Sequence, residues 1–183
     1  MGKILLGVIL ILLGGTINIE THIIELTPNF IGSVLLLSAM KEFKIKDNIM
    51  KRFLYVLTGI FFVNYMLQVT ISNGILFVLY PILNSGTLVW GIYIAMKLVE
   101  NIKSDQGIGF KTEALRVWFW ILFAITIIMG ITVIVFVPMP RIPSLLNIVL
   151  PWILGLTAFV GAIASYILIY LFYKELKDLK LSK

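Results

Sequence analysis

The chain lacks cysteine altogether and contains a single histidine among its 183 residues. Without cysteine it can form no disulfide framework, thiolate nucleophile or cysteine-ligated metal cluster. One histidine cannot supply the paired ligands that an intramembrane metalloprotease or a bis-histidine haem site needs. These absences exclude several classes of enzyme and redox protein.

Charged residues are also scarce. They make up 13% of the chain, whereas apolar residues make up 60%, and the mean hydropathy is +1.05. A soluble domain carries about 25% charged residues and about 45–50% apolar ones. Too little polar surface is left to cover a water-soluble globule of this size, so lipid is expected to meet the outer surface. The composition predicts an integral membrane protein.

Six apolar segments predict an all-α bundle of transmembrane helices in a single domain over residues 1–183. A helix needs about 20 residues to cross a hydrocarbon core of about 30 Å. The third, fourth and fifth segments meet this length, the sixth exceeds it, and the first two are short, which allows for tilt, thinning or a re-entrant pair. The segments are 4–19, 28–43, 53–72, 75–97, 114–137 and 145–173.

Nearly all the basic residues fall on one side of these predicted spans, and only Arg141 falls on the other. They are Lys3, Lys41, Lys44, Lys46, Lys51, Arg52, Lys97, Lys103, Lys111, Arg116, Lys174, Lys177, Lys180 and Lys183. Because basic loops stay in the cytoplasm, both termini are predicted to be cytoplasmic, which an even number of spans satisfies. We expect a multi-pass protein of a bacterial cytoplasmic membrane. Its basic edge is a candidate contact for anionic lipid, and its dispersed charges argue against binding of nucleic acid.

No Asp, Glu, Lys, Arg or His lies near the centre of any of the six segments. Proton relays, ion-coupled transporters and voltage sensors usually need ionisable groups at that depth. We therefore expect no catalytic residue, no metal site and no cofactor within the membrane. A non-enzymatic protein is favoured.

Neutral polar side chains lie within the third and fourth segments. They are Asn64, Gln68, Asn84, Ser85 and Thr87. Asn64 and Gln68 share a helix face because they lie four residues apart, and a tight hairpin at 72–74 would place Asn64 and Asn84 at similar depth. This arrangement predicts a pocket for a neutral or zwitterionic ligand. The alternative is interhelical hydrogen bonding, worth about 0.6 kcal/mol per bond on average.

The outer connector between the first two segments carries Glu20, His22 and Glu25. On a continuing helix His22 and Glu25 would share a face, because they lie three residues apart. One imidazole and two carboxylates could hold a cation or a basic ligand, so these residues are predicted to form an outer entrance. The alternative is a solvated connector whose charges mark the outer membrane surface.

Small residues recur four apart in two of the segments, a spacing that lets membrane helices approach closely. The pairs are Gly91 with Ala95, Ala158 with Ala162, and Gly161 with Ser165. In addition, Gly7 and Gly14 share a face of the first segment. Packing within the chain and a homodimer interface are the two interpretations of these residues.

The stretch from Lys3 to Lys44 carries a recognisable pattern after its Leu/Ile/Gly-rich opening. The residues concerned are Asn18, His22, Leu26, Pro28, Phe30-Ile31-Gly32 and Lys41. This pattern resembles the opening of small uncharacterised multi-pass membrane proteins of Gram-positive bacteria. In that group the connector often reads Leu-Pro-Asp-Phe-Ile-Gly, where this chain has Thr27 and Asn29 in place of Leu and Asp. The resemblance implies a multi-pass membrane protein and brings no activity with it.

Together these observations predict a non-enzymatic small-molecule binding or transport component whose polar contacts come from the third and fourth helices. The alternative is an accessory subunit of a membrane complex, or an immunity or sensor protein. Such a protein would bind a protein partner through its small-residue pairs and its basic edge.

Overall fold

The computed structural model describes residues 2–13, 16–19, 22–25, 28–70, 75–109, 113–136 and 144–180, with side chains described in 2–13, 28–66, 85–109, 113–132, 149, 151–177 and 179. In these ranges the chain forms six α-helices, which confirms the predicted helical fold, and one short β-hairpin. The elements are α1 Gly2–Leu12, β1 Thr16–Ile19, β2 His22–Glu25, α2 Asn29–Glu42, α3 Asn48–Thr70, α4 Ile75–Asp105, α5 Glu113–Phe136 and α6 Ser144–Lys180.

The first helix is shorter than the sequence predicted. A single helix was expected over 4–19, but α1 ends at Leu12 and the chain is extended in β1. β1 pairs antiparallel with β2, with Thr16 opposite Glu25 and Ile19 opposite His22. The prediction for this segment is therefore wrong in its second half.

Local preferences explain why the helix stops. Gly14 and Gly15 are poor helix formers because glycine loses more backbone entropy than other residues when it becomes helical. The β-branched residues Thr16, Ile17 and Ile19 follow them, and such side chains favour an extended backbone. Hydropathy alone does not distinguish an apolar strand from an apolar helix.

Three helices of the described chain are long and apolar enough to cross a membrane. They are Asn48–Met66, Glu113–Thr132 and Pro151–Lys177. By contrast, α1 has a length of about 16 Å and α2 of about 21 Å, both shorter than a hydrocarbon core of about 30 Å. The three long helices associate the protein with a membrane.

Consecutive helices are neighbours in space. In addition, α1 packs against α4 and α6, and α4 contacts all five other helices. The side chains of Ile4, Val8 and Ile11 on α1 are fully buried. Because these residues are spaced four and three apart, they lie on one face of the helix. One face of α1 is thus buried against its neighbours, whereas Leu6 and Leu13 of the same segment are exposed.

The crossing of α1 and α2 is a contact between two backbones. A Cβ atom built on Gly7 would lie 2.8 Å from the carbonyl oxygen of Gly32, and one on Gly32 would lie 2.6 Å from the carbonyl oxygen of Gly7. Real Cβ atoms do not approach backbone oxygens this closely, so neither position admits a side chain without a shift. Small residues allow such close approach between apolar helices.

Two of the three predicted small-residue pairs lie at helix contacts within the chain. A Cβ atom on Gly91 of α4 would lie 3.3 Å from the side chain of Ile11 on α1, and one on Gly161 of α6 would contact α5 at 3.6 Å. The third pair, Ala158 and Ala162, is exposed. Intramolecular packing therefore accounts for the first two pairs.

Ionic contacts gather several helix termini at one end of the bundle. Lys3 Nζ lies 3.1 Å from Glu42 Oε2 and 3.2 Å from Ser38 Oγ, which joins the start of α1 to the end of α2. Arg116 Nη2 lies 3.8 Å from Glu100 Oε1, which brings the start of α5 near the end of α4. We call this the basic end; its cations include Lys3, Lys97, Lys103 and Arg116.

Candidate functional site

Asn64 lies on the buried face of α3. Leu57 and Phe61, two turns and one turn earlier, are buried, and Asn64 itself is only 3% exposed. Its Nδ2 atom has no hydrogen-bond partner among the described residues. A buried polar group left unpaired costs about 1–3 kcal/mol, so we expect a water molecule, a ligand or another part of the chain to accept this bond.

The packing of α3 against α4 sets the depth of Asn64. A Cβ atom on Gly91 of α4 would lie 3.5 Å from the side chain of Leu57 on α3, so these two positions face each other. In an antiparallel pair, seven residues onward on α3 and seven residues back on α4 lead to Asn64 and Asn84 at equal rise. This contact is consistent with the predicted similar depth of residues 64 and 84, which stays a prediction.

The other predicted pocket residues are described only in part. Thr87 is buried and Ser85 is half-buried on α4. The side chains of Gln68 and Asn84 lie outside the described set. The pocket between α3 and α4 therefore stays a prediction, with Asn64 as its best-described member.

The predicted outer entrance falls on the β-hairpin. His22 and Glu25 are the first and last residues of β2, where the backbone is extended and paired with β1. The expectation that these two residues share a face of a continuing helix is therefore wrong. Glu20 lies outside the described residues, as do the side chains of His22 and Glu25, so their role as an entrance stays a prediction.

A buried ion pair at the basic end was missed by sequence reasoning. Lys103 Nζ, near the end of α4, donates to Glu175 Oε2 on α6, and the side chains are only 1% and 9% exposed. Lys103 had been counted only among the basic residues on one side of the predicted spans. This contact joins the end of α4 to α6. Removing one partner of such a pair would leave an uncompensated buried charge.

The helical pattern of α6 explains how Glu175 comes to be buried. Leu168, Phe172, Leu176 and Leu179 follow one another at intervals of four and three residues and are all buried. Such spacing marks one face of a helix, and Glu175 lies next to that face. The pattern was a signal that Glu175 would be drawn inward, but nothing local identified Lys103, 72 residues earlier, as its partner.

No protein family, curated protein or solved structure matches this chain. The resemblance to multi-pass proteins of Gram-positive bacteria therefore stays a prediction. The fold defines a class: a helical, membrane-associated protein with buried polar groups on α3, α4 and α6.

Proposed function

We propose that this chain is a non-enzymatic, multi-pass protein of a bacterial cytoplasmic membrane that binds or transports a neutral or zwitterionic small molecule between α3 and α4. The observation that supports the proposal is the buried Nδ2 atom of Asn64, which has no partner among the described residues. A side-chain amide both donates and accepts hydrogen bonds without carrying charge. It is suited to a ligand that is polar but carries no net charge.

The proposed topology has both termini in the cytoplasm. Its support is the basic end, because cytoplasmic loops carry an excess of Lys and Arg. The starts of α1 and α5 and the ends of α2 and α4 meet there. Reversing the protein would place nearly all its basic residues outside.

Six crossings also require α1 and α2 to reach the outer surface, and the β-hairpin supplies the missing length. Four residues of β1 add about 13 Å to the 16 Å or so of α1, which together approach the thickness of the hydrocarbon core. Backbone strands at this depth need protein cover, and β2 packs against α3. Helix and hairpin together can therefore act as one crossing unit.

The experiment uses the full chain purified in mild detergent and a panel of free amino acids, sugars and nucleosides. A compound that binds the folded state raises the melting temperature, by an amount equivalent to about 2.7 kcal/mol at 100 times its dissociation constant. We expect at least one compound to stabilise the wild type and to lose this effect in Asn64→Leu. Thr132→Val is the matched control, because Thr132 is also buried but its hydroxyl already donates to the carbonyl oxygen of Ile128.

Two outcomes contradict the proposal. In one, no compound in the panel stabilises the wild type. In the other, Asn64→Leu binds every active compound as well as the wild type does and also melts at a higher temperature. The second result would mean that the amide is only an unpaired buried group, whose removal relieves a structural cost.

A second candidate function, an accessory subunit that docks on a partner, is favoured by one surface of α6. Seven exposed apolar or aromatic residues follow each other at alternating intervals of four and three. They are Trp152, Leu156, Phe159, Ile163, Tyr166, Tyr170 and Tyr173. This is the spacing by which two helices interlock along a seam.

Because the chain has no cysteine, a single introduced cysteine can test the seam in native membranes. If α6 docks on a second helix, Phe159→Cys should form a disulfide-linked dimer or a cross-link to a partner. Ile131→Cys, at an exposed apolar position of α5, should not. Equal cross-linking of both variants, or of neither, would count against the accessory function.

A further inference from the structure

An open groove runs along the surface between α4 and α5. Its apolar part has a volume of about 490 Å³, and its lining includes Gly86, Trp90, Tyr93, Phe119, Phe123 and Gly130. The rings of Tyr93 and Phe119 lie 6.0 Å apart and join the two helices. Aromatic side chains of both helices therefore form the walls of this groove on the side of the bundle.

Two glycines keep the groove open. A Cβ atom on Gly86 of α4 or on Gly130 of α5 would meet no other atom within 4 Å. Because both residues line the groove, a larger side chain at either position would occupy it. The vacant space is thus a consequence of side chains that are absent from both walls.

At the basic end the groove becomes charged. Lys97, Glu100 and Arg116 line a further space of about 290 Å³, which shares Tyr93 and Phe119 with the apolar part. Lys97 Nζ lies 2.7 Å from Glu100 Oε2, and Arg116 Nη2 lies 3.8 Å from Glu100 Oε1. Two cations share one carboxylate, so these three side chains together carry a net charge of +1.

Both cations are accessible to a ligand. The side chain of Lys97 is 42% exposed and that of Arg116 is 57% exposed. The rise from Gly86 to Lys97 along the helix axis is about 16 Å, close to the depth of one leaflet of a hydrocarbon core about 30 Å thick. The groove thus has the length and the polarity gradient of a single lipid molecule.

We propose that this groove binds one membrane phospholipid with a net negative headgroup, whose phosphate contacts Lys97 and Arg116 and whose acyl chain lies in the apolar part. Charge complementarity sets the choice of headgroup, because Lys and Arg form charge-assisted hydrogen bonds with phosphate. A zwitterionic headgroup would bring an ammonium group beside the same cations. Tyr93 and Trp120 at the junction are residue types that favour the interfacial level of a membrane. The site is independent of the proposed pocket between α3 and α4.

Tryptophan fluorescence tests the proposal with the full chain in vesicles. Two kinds of phosphatidylcholine vesicle are compared. One contains phosphatidylglycerol brominated on its acyl chains, and the other contains phosphatidylcholine brominated in the same way. Bromine quenches a nearby indole. Trp90 and Trp120 line the groove, and a Trp118→Phe/Trp152→Phe background removes the other two indoles of the chain. We expect the brominated anionic lipid to quench more strongly than the zwitterionic one.

Charge-removing variants locate the headgroup. In Lys97→Gln/Arg116→Gln the preference for anionic lipid should fall by up to about fivefold for each cation removed. Lys51→Gln/Arg52→Gln is the matched control, because it removes the same charge from exposed positions at the start of α3. An unchanged preference in the first variant, or an equal loss in the control, would overturn the proposal.

A groove-filling variant locates the acyl chain and keeps the charges in place. Gly130→Leu should reduce quenching of the groove indoles by the anionic lipid, whereas Gly155→Leu, at an open position of α6, should leave it unchanged. Circular dichroism of each variant shows that it is folded. If the folded Gly130→Leu protein were quenched like the wild type, or if the wild type preferred the zwitterionic lipid, the proposal would be wrong.

Discussion

Two pairs of glycines in this protein do opposite things. Gly7 and Gly32 close the crossing of α1 and α2, where an added Cβ atom would lie within 3.0 Å of a backbone oxygen. Gly86 and Gly130 open the groove between α4 and α5, where an added Cβ atom would meet nothing within 4 Å. The same residue type thus excludes a gap in one place and creates one in another.

The difference shows that a small residue in an apolar helix does not by itself indicate whether the position is tightly packed or open. At the α1–α2 crossing the facing element is another backbone, so the missing side chain permits contact. At the groove the two glycines lie across an open space lined with aromatic side chains. What lies opposite each glycine decides whether the position stabilises the fold or leaves room for a ligand.

The largest expected effect concerns the ion pair that closes the bundle at its basic end. Glu175→Gln leaves Lys103 buried without its carboxylate, which should lower the free energy of unfolding by about 3–5 kcal/mol. The double variant Lys103→Met/Glu175→Leu should recover most of that loss, because no charge remains buried. Denaturation in mixed detergent micelles measures both.

An exposed ion pair is the control for this prediction. Lys97→Gln breaks the partly exposed contact with Glu100 and should change stability by no more than about 0.5 kcal/mol. If Lys103→Met/Glu175→Leu were less stable than Glu175→Gln, the buried Lys103–Glu175 pair would contribute net stability and would not merely balance two buried charges.

The next effect tests the closed glycine pair. Gly32→Ala places a methyl group against the carbonyl oxygen of Gly7 and should destabilise the protein by about 1–3 kcal/mol, the usual cost of overpacking. Gly59→Ala is the matched control on α3, where an added Cβ atom meets nothing within 4 Å. Thermal melting of both variants gives the comparison. Equal melting temperatures would show that the crossing can move apart at little cost.

The open glycine pair should respond with the opposite sign. Gly130→Ala removes backbone freedom from the unfolded chain and meets no atom in the folded one, so it should raise stability by up to about 1 kcal/mol. The measurement is the same detergent denaturation. A loss of stability would mean that the groove wall is already filled around Gly130.

The smallest effect concerns the polar contact between α2 and α3. The single hydroxyl proton of Thr58 is shared between Ser33 Oγ at 2.9 Å and the carbonyl oxygen of Leu54 at 2.7 Å. Ser33 Oγ donates in turn to the carbonyl oxygen of Phe30 at 2.8 Å. Thr58→Val should therefore cost about 0.6 kcal/mol, the average for such bonds between membrane helices. Thr126→Val, which loses only a bond to its own helix, should cost less.

Apolar runs located five of the six helices, although α3 begins five residues before the predicted segment and α4 continues eight residues beyond it. Hydropathy failed for α1, where the apolar run continues into a strand after Leu12. The similar depth of Asn64 and residue 84 rests on a constant rise per residue in both helices and stays a prediction. Neither the Lys103–Glu175 pair nor the α4–α5 groove had a comparable local signal.

The sequence by itself determined that the protein belongs with a membrane and is helical, and where most helices begin. These properties depend on composition and on residues close together in the chain, so the sequence alone is enough to predict them. Only the tertiary structure decided which glycine meets which surface, which lysine is buried, and which amide has no partner among the described residues. Those outcomes depend on residues far apart in the chain, and the packing of helices against one another brings them together.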